Sequence, residues 1–331
     1  NGMNKSLALF LAKKLIRITT LLFAVCLISF ILVSNSPIDP VKAYVGADIA
    51  LVGPEQMEKI SRYWGLDKSP QEQFTNWFLT LIQGEFGNSL IYRKPVLDVI
   101  AEKFLASLAL MGTAWILSGI FGFALGIIAA MKQGRRTDRI IKWYCLTLAS
   151  TPVFWLGLLL LIVFSVWLKW FPIGLGVPAG VMAAEVTIVE KIRHLILPAL
   201  TLSIVGVSNI ALHTRQKLID VLNSDYVLFA KARGESNSTI LWQHGLRNIA
   251  LPAITLQLAS FNELFGGAIL AEQVFSYPGL GSTITEAGLR GDVPLLLGIV
   301  IFSALFVFVG NLAADIIYRL IDPRIKEGGA V

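Results

Sequence analysis

The sequence predicts an all-α membrane protein. Its six transmembrane helices are joined by a small extracytoplasmic domain between helices one and two and a polar cytoplasmic loop between helices four and five. Three observations predict this. The 331 residues are 55% hydrophobic and only 15% charged, whereas soluble domains run at about 45–50% and about 25%. The mean hydropathy is +0.69. Finally, the Lys and Arg residues gather at the ends of apolar runs, as topology signals do.

A helix needs about 20 mostly apolar residues to cross a bilayer. The first run, about 10–33, opens with Lys13, Lys14 and Arg17. A signal peptide would share that pattern, but no small-x-small cleavage site follows, so the run is expected to stay as a helix. Asn1-Gly2, ahead of Met3, reads as an added scar or an altered start. The second span, Phe104–Met131, holds no charge. The third is expected at 140–168, and the fourth at 195–212 with a bend or loosening at Pro198. The fifth is expected at 249–271 and the sixth at 295–318.

Orientation follows from the cations. Lys132, Arg135, Arg136, Arg139 and Lys142 lie between spans two and three, and Arg215, Lys217, Lys231, Arg233 and Arg247 between four and five. Arg319, Arg324 and Lys326 follow span six. The loops at 172–193 and 274–294 hold few. Both termini and both basic loops are therefore expected in the cytoplasm. The expected organisation is a cytoplasmic N-terminus and first helix at 1–33, an extracytoplasmic domain at 34–100, a permease domain at 101–322 and a tail at 323–331.

Within 34–100, Pro54 to Gly65 and Ser69 to Gly84 each read as a short helix, with Ser69 as an N-cap and a glycine past each end. Tyr63, Trp64, Phe74, Trp77 and Phe78 form a small core there or lie at the headgroups.

Enzyme chemistry finds no place. There is no GxxxxGK[ST] phosphate loop and no HExxH. His194, His213 and His244 are dispersed, and Cys26 and Cys145 read as packing residues. No catalytic or metal-binding residues are expected, and no nucleic-acid partner. "GLGVPAG" (174–180) follows a span rather than a strand and reads as an outer turn. An intramembrane enzyme would need a catalytic constellation at depth, and a secondary transporter would need paired ionisable groups in repeated halves. The chain shows neither.

Two stretches stand out. Asn262-Glu263 sits in mid-span five, with Gln257 upstream and Gly266 and Gly267 downstream. A charge at that depth costs about 2.5–3.5 kcal/mol on insertion scales and faces either a cavity or a polar partner. Both readings stay open: a translocation-path lining and a helix–helix hydrogen bond. The stretch 220–248 is polar between apolar runs. Asn223 or Ser224 can cap a helix that ends at Gly234, and Ser236 or Ser238 can cap a second. Helices this short need packing to persist. Ala230, Ala232 and Gly234 leave room for a close neighbour.

"DYVLFAKARGESNSTILWQHGLRNIALP" (225–252) resembles the cytoplasmic loop of the membrane-spanning permease subunits of bacterial ABC importers, in the form found in the dipeptide/oligopeptide/nickel group. Asp225, Tyr226, Val227, Ala230, Ala232, Gly234, His244, Leu246, Arg247, Asn248, Leu251 and Pro252 match that pattern; Leu228 stands where the wider loop has Glu. "GEFGNSLIYRKPV" (84–96), "AEQVFSYPGLGSTITEAGLRGDVPLL" (271–296) and "NLAADIIYRLIDPRI" (311–325) are similar to further family segments, although Gly291 separates Arg290 from Asp292.

The resemblance implies a non-catalytic subunit of the bacterial inner membrane. Its implied partners are a second, homologous permease, two ATPases holding ATP and Mg, an extracytoplasmic substrate-binding protein and the surrounding lipid. It implies that Asp225, Tyr226, Ala230, Ala232, Arg233, Gly234, His244 and Arg247 meet an ATPase. Gln257, Asn262, Glu263, Gly266 and Gly267 are path candidates. Pro278, Gly279 and Gly281 belong either to an outer gate or to a plain turn before span six.

Overall fold

A computed structural model describes residues 2–35, 37, 40–45, 52–63, 65–176 and 186–321. The expected tail at 323–331, residues 177–180 of the outer turn, Trp64, and the side chains of Tyr63, Asn262, Asp315 and Tyr318 lie outside the description. Among the described residues thirteen α-helices follow one another: α1 Gly2–Ser34, α2 Pro40–Val45, α3 Pro54–Tyr63, α4 Pro70–Ile82, α5 Val96–Met131, α6 Arg136–Ala149, α7 Val153–Leu160, α8 Ile188–Leu222, α9 Asp225–Ala232, α10 Asn237–Ile240, α11 Leu246–Val274, α12 Leu280–Arg290 and α13 Val293–Ile321. Among the described residues the β content is one isolated bridge, Asn88 to Pro95.

Among the described residues four helices are long and apolar enough to cross a membrane, or up to six if each of two bent pairs is counted as one span. The third span is not the straight rod expected from 140 to 168. It turns by 107° between α6 and α7, because Pro152 can neither donate into a helical ladder nor leave Thr151 free to stay helical. Past α7 the chain widens into a π-helical turn, Leu161–Trp167. Span four lies within α8, which runs through Pro198 as one continuous 35-residue helix. It starts at a capping box in which Thr187 accepts from Glu190 N–H and the Glu190 carboxylate accepts from Thr187 N–H. Span five bends by 52° around residue 262.

The chain divides into two compact units, 1–105 with 282–309 and 106–281 with 310–331. In the first unit, α4 opens at the expected N-cap Ser69, which forms a capping box with Glu72, and lays Phe74, Trp77 and Phe78 against Phe23 and Phe30 of α1. Of the aromatics expected either to form a small core in 34–100 or to lie at the headgroups, Phe74, Trp77 and Phe78 thus pack on the first span. Phe104 packs edge-on against Phe302 and Phe306 of α13.

In the second unit small residues set the spacing of long helices. A Cβ added at Gly126 would lie 2.7 Å from the Ala211 carbonyl oxygen and from Thr214 Cβ on α8. A Cβ at Gly122 would lie 2.7 Å from Ile210 Cβ. Small residues drive helix association in membranes by letting backbones approach. Gly126→Leu is therefore expected to lose at least about 1–3 kcal/mol through overpacking. It should show as a lower Tm and a reduced yield of monodisperse protein in detergent. α6 packs on α8 through Ile141 and Cys145 against Val207 and Ala211, with Ala129 of α5 completing the cluster.

Candidate functional site

The polar stretch between α8 and α11 folds as two short helical pieces meeting at a sharp turn. Ser224 is the N-cap residue of α9 by its extended backbone, but its hydroxyl donates to the Val221 carbonyl instead of capping. α9 ends in a Schellman motif. Gly234, at φ +83°, donates its N–H to the Lys231 carbonyl, and Glu235 N–H reaches the Ala230 carbonyl. That geometry favours a residue without Cβ. Of the two serines open as caps for the next helix, Ser236 is the one that accepts, from Thr239 N–H. The chain then passes through a π-helical turn, Leu241–Gly245, into α11.

This element has its own small core. Val227, Ala230 and Ile240 are buried together against Val221 and Leu222. Ala230 therefore faces inward rather than toward a neighbour. His244 Nε2 lies 3.4 Å from Glu235 Oε2, and Arg233 lies 3.7 Å from the other Glu235 oxygen. Asn248 donates to the His244 carbonyl at 2.6 Å and to the Tyr226 hydroxyl at 3.3 Å. Of the eight residues expected here, Tyr226, Arg233 and His244 thus join one network, and Gly234 makes the turn. Asp225, Ala232 and Arg247 are exposed. Three large apolar side chains of the element are open: Leu228, Phe229 and Trp242 are 52%, 66% and 72% exposed.

The path candidates on α11 separate. The Gln257 side chain donates to the Trp115 carbonyl at 2.6 Å, while Trp115 Nε1 donates to the Gln257 carbonyl at 2.7 Å. These reciprocal bonds clasp α11 to α5. Gly267 packs on α8, where an added Cβ would sit 3.2 Å from Leu202. Glu263 and Gly266 lie on one exposed stripe with Ala259, Leu270 and Gln273, the spacing of a single helix face. A Cβ at Gly266 would meet nothing within 4 Å.

At the C-terminal end of α11 the structure adds a residue that sequence reasoning missed. Glu272 is 1% exposed. Its carboxylate accepts from Ser107 Oγ at 2.5 Å and from Gly281 N–H at 2.7 Å, and Ser107 in turn accepts from Leu280 N–H. A Cβ on Gly279 would come within 2.2 Å of Glu272 Oε1. The Pro278–Gly279–Gly281 turn is therefore moulded around a buried carboxylate that holds the first turn of α12. The signal was present, since Glu272 is the second residue of the segment 271–296, but its burial depends on α5 arriving beside it.

Asp292, wholly buried, follows the other end of α12. It accepts from Ser89 Oγ at 2.6 Å, from Ile91 N–H at 3.0 Å and from Leu295 N–H at 3.2 Å. Gly291, at φ +71°, makes the reversal that aims it. Nearby, Tyr92 donates to Glu286 at 3.0 Å. Burial, reinforced by that carboxylate, pushes the Tyr92 phenol up to about 12, so it remains a donor at ordinary pH.

The chain was compared with known proteins. The family model described as binding-protein-dependent transport system inner membrane component matches residues 122–327. The corresponding N-terminal model matches residues 7–111. The chain is 33% identical to the oligopeptide transport system permease protein AppB of Bacillus subtilis (strain 168) over 97% of this chain and 100% of that protein. It is 35% identical to the glutathione transport system permease protein GsiC of Escherichia coli (strain K12) over 96% and 98%. Among solved structures, a chain of the inward-facing MetNI methionine ABC transporter aligns with TM-score 0.54 at 13% identity, over 68% of this chain and 97% of that one.

Proposed function

The chain belongs to the family of binding-protein-dependent transport system inner membrane components, and from that premise we propose how its named residues serve transport. It is a membrane-spanning permease of an ABC importer. Such a permease works with ATPase and substrate-binding components; the sequence holds no GxxxxGK[ST] phosphate loop. In our reading it pairs with a second, homologous permease in the inner membrane. Two ATPases carry the ATP and Mg, and both termini and the 220–248 element face the cytoplasm.

One observation carries the docking assignment. The element is braced internally by Val227, Ala230 and Ile240 and by the Glu235–His244 contact, yet it leaves Leu228, Phe229 and Trp242 open beside Lys231 and Arg233. A rigid helix pair with an uncovered apolar face suits the groove of a partner. A tagged chain should copurify with two ATPases and a second permease. Purification alone, with uptake independent of ATP, would overturn the assignment.

The exposed stripe with Glu263 and Gly266 is our path-lining candidate, because a charge in mid-span requires a polar surrounding. The Pro278–Gly281 turn and α12 are our outer-gate candidate, held by Glu272. The cargo class we favour is short peptides, on the names of the two permease relatives. Glu263→Gln is expected to change the uptake rate of labelled glutathione or trialanine several-fold. Unchanged rates for both probes would make Glu263 a structural residue.

A further inference from the structure

The connection between α5 and α6, together with the first two turns of α6, carries one acid among five cations. Lys132, Arg135, Arg136, Arg139 and Lys142 are exposed, and Asp138 alone is buried. Arg215 of α8 holds it with two parallel bonds, Nε to Oδ1 at 2.6 Å and Nη2 to Oδ2 at 2.8 Å. Gly134 N–H adds a third at 2.9 Å. The two side chains are 5% and 14% exposed. An exposed pair would contribute little to stability, and burying one desolvates both charges, so its attested use is to fix register. Arg suits that use, since its planar fork admits one orientation of a carboxylate. The apolar contacts of Ile141 and Cys145 on α8 are non-directional and permit sliding; the ion pair does not.

Its position gives the register a purpose. Two turns beyond Arg215, Val221 and Leu222 of α8 pack on the core of the docking element. In the other direction α6 leads through Pro152 into α7. A Cβ added at Gly267 of α11 would approach Val153 of α7, and one added at Gly157 of α7 would approach Val274 of α11.

We propose that Asp138 and Arg215 are a positioning pair that makes α6 move as one body with α8, so that displacement of the docking element reaches α7 and the C-terminal half of α11. The proposal rests on the reading of 220–248 as the ATPase-docking element.

The test uses the assembled transporter with Cys26 and Cys145 replaced by alanine and spin labels on Lys142→Cys and Lys217→Cys, two exposed positions on α6 and α8. The expected result is a single distance, the same without nucleotide and with ATP and vanadate. Asp138→Asn should let that distance shift when nucleotide is added, while ATP hydrolysis continues near the unsubstituted rate. Exchanging the charges, Asp138→Arg with Arg215→Asp, should restore the fixed distance. Should Asp138→Asn fail to fold, Arg215→Lys, which keeps the charge but loses the fork, is read the same way.

A distance that shifts with nucleotide in the unsubstituted pair overturns the proposal. So does a change in Asp138→Asn that is present without nucleotide and indifferent to it, as a merely structural role would give, or an exchange that restores nothing. ATPases missing from the unsubstituted complex would overturn the docking reading instead, and the same preparation reports it.

Discussion

Gly234→Glu is expected to abolish ATP-driven uptake while leaving the chain in the membrane. Gly234 sits at φ +83°, and an added Cβ there would meet no atom within 4 Å. The penalty is therefore conformational. A left-handed residue with a Cβ costs about 1–2 kcal/mol, and the Schellman bonds to Ala230 and Lys231 hold the turn in that conformation. Either the turn opens, separating Ala230 from Ile240, or it survives with a charge projecting from the docking element. Both outcomes are expected to abolish uptake. Gly234→Asn is the control, since asparagine tolerates the left-handed region, and it should retain most of the uptake. Vesicle uptake and ATPase copurification read both variants. Full uptake by Gly234→Glu would remove the turn from the mechanism.

Glu272→Ala should be as damaging at the other end of α11. The carboxylate is the acceptor for Ser107 Oγ–H and Gly281 N–H in a site closed to solvent. A buried donor left without an acceptor costs about 1–3 kcal/mol, and two are created. The first turn of α12 loses its anchor. The expected result is a Tm lowered by several degrees together with loss of uptake. Glu272→Gln keeps one acceptor oxygen and should fall between the two. An unchanged Tm in Glu272→Ala would show that the turn 276–281 is held by other contacts.

Some of this was legible in the residues. The caps at Ser69 and Ser236 and the turns at Gly65, Gly84 and Gly234 depend on a few adjacent residues, and the structure has each of them. The apolar runs marked where the long helices lie, although α5 and α8 extend about two turns or more beyond the expected bounds and two of the six candidate spans are bent pairs. What could not be read was what each residue faces. Ala230 looked like a contact for a partner and is core; Gln257 looked like a path residue and clasps Trp115. Pro152 broke a span that looked continuous, while Pro198, expected to bend its span, left α8 whole. A proline's effect depends on whether neighbouring helices support the backbone around it.

The sequence by itself determined that this protein is helical, membrane-spanning and a member of a transport family, because composition, run length and ordered motifs are properties of the chain alone. Only the tertiary structure decided that Glu272, Asp292 and Asp138 are the buried acids among the described residues. Burial of a charge is settled by partners brought from far along the chain: Ser107 for Glu272, Ser89 for Asp292 and Arg215 for Asp138. An isolated carboxylate cannot leave water, but one met by oriented donors can.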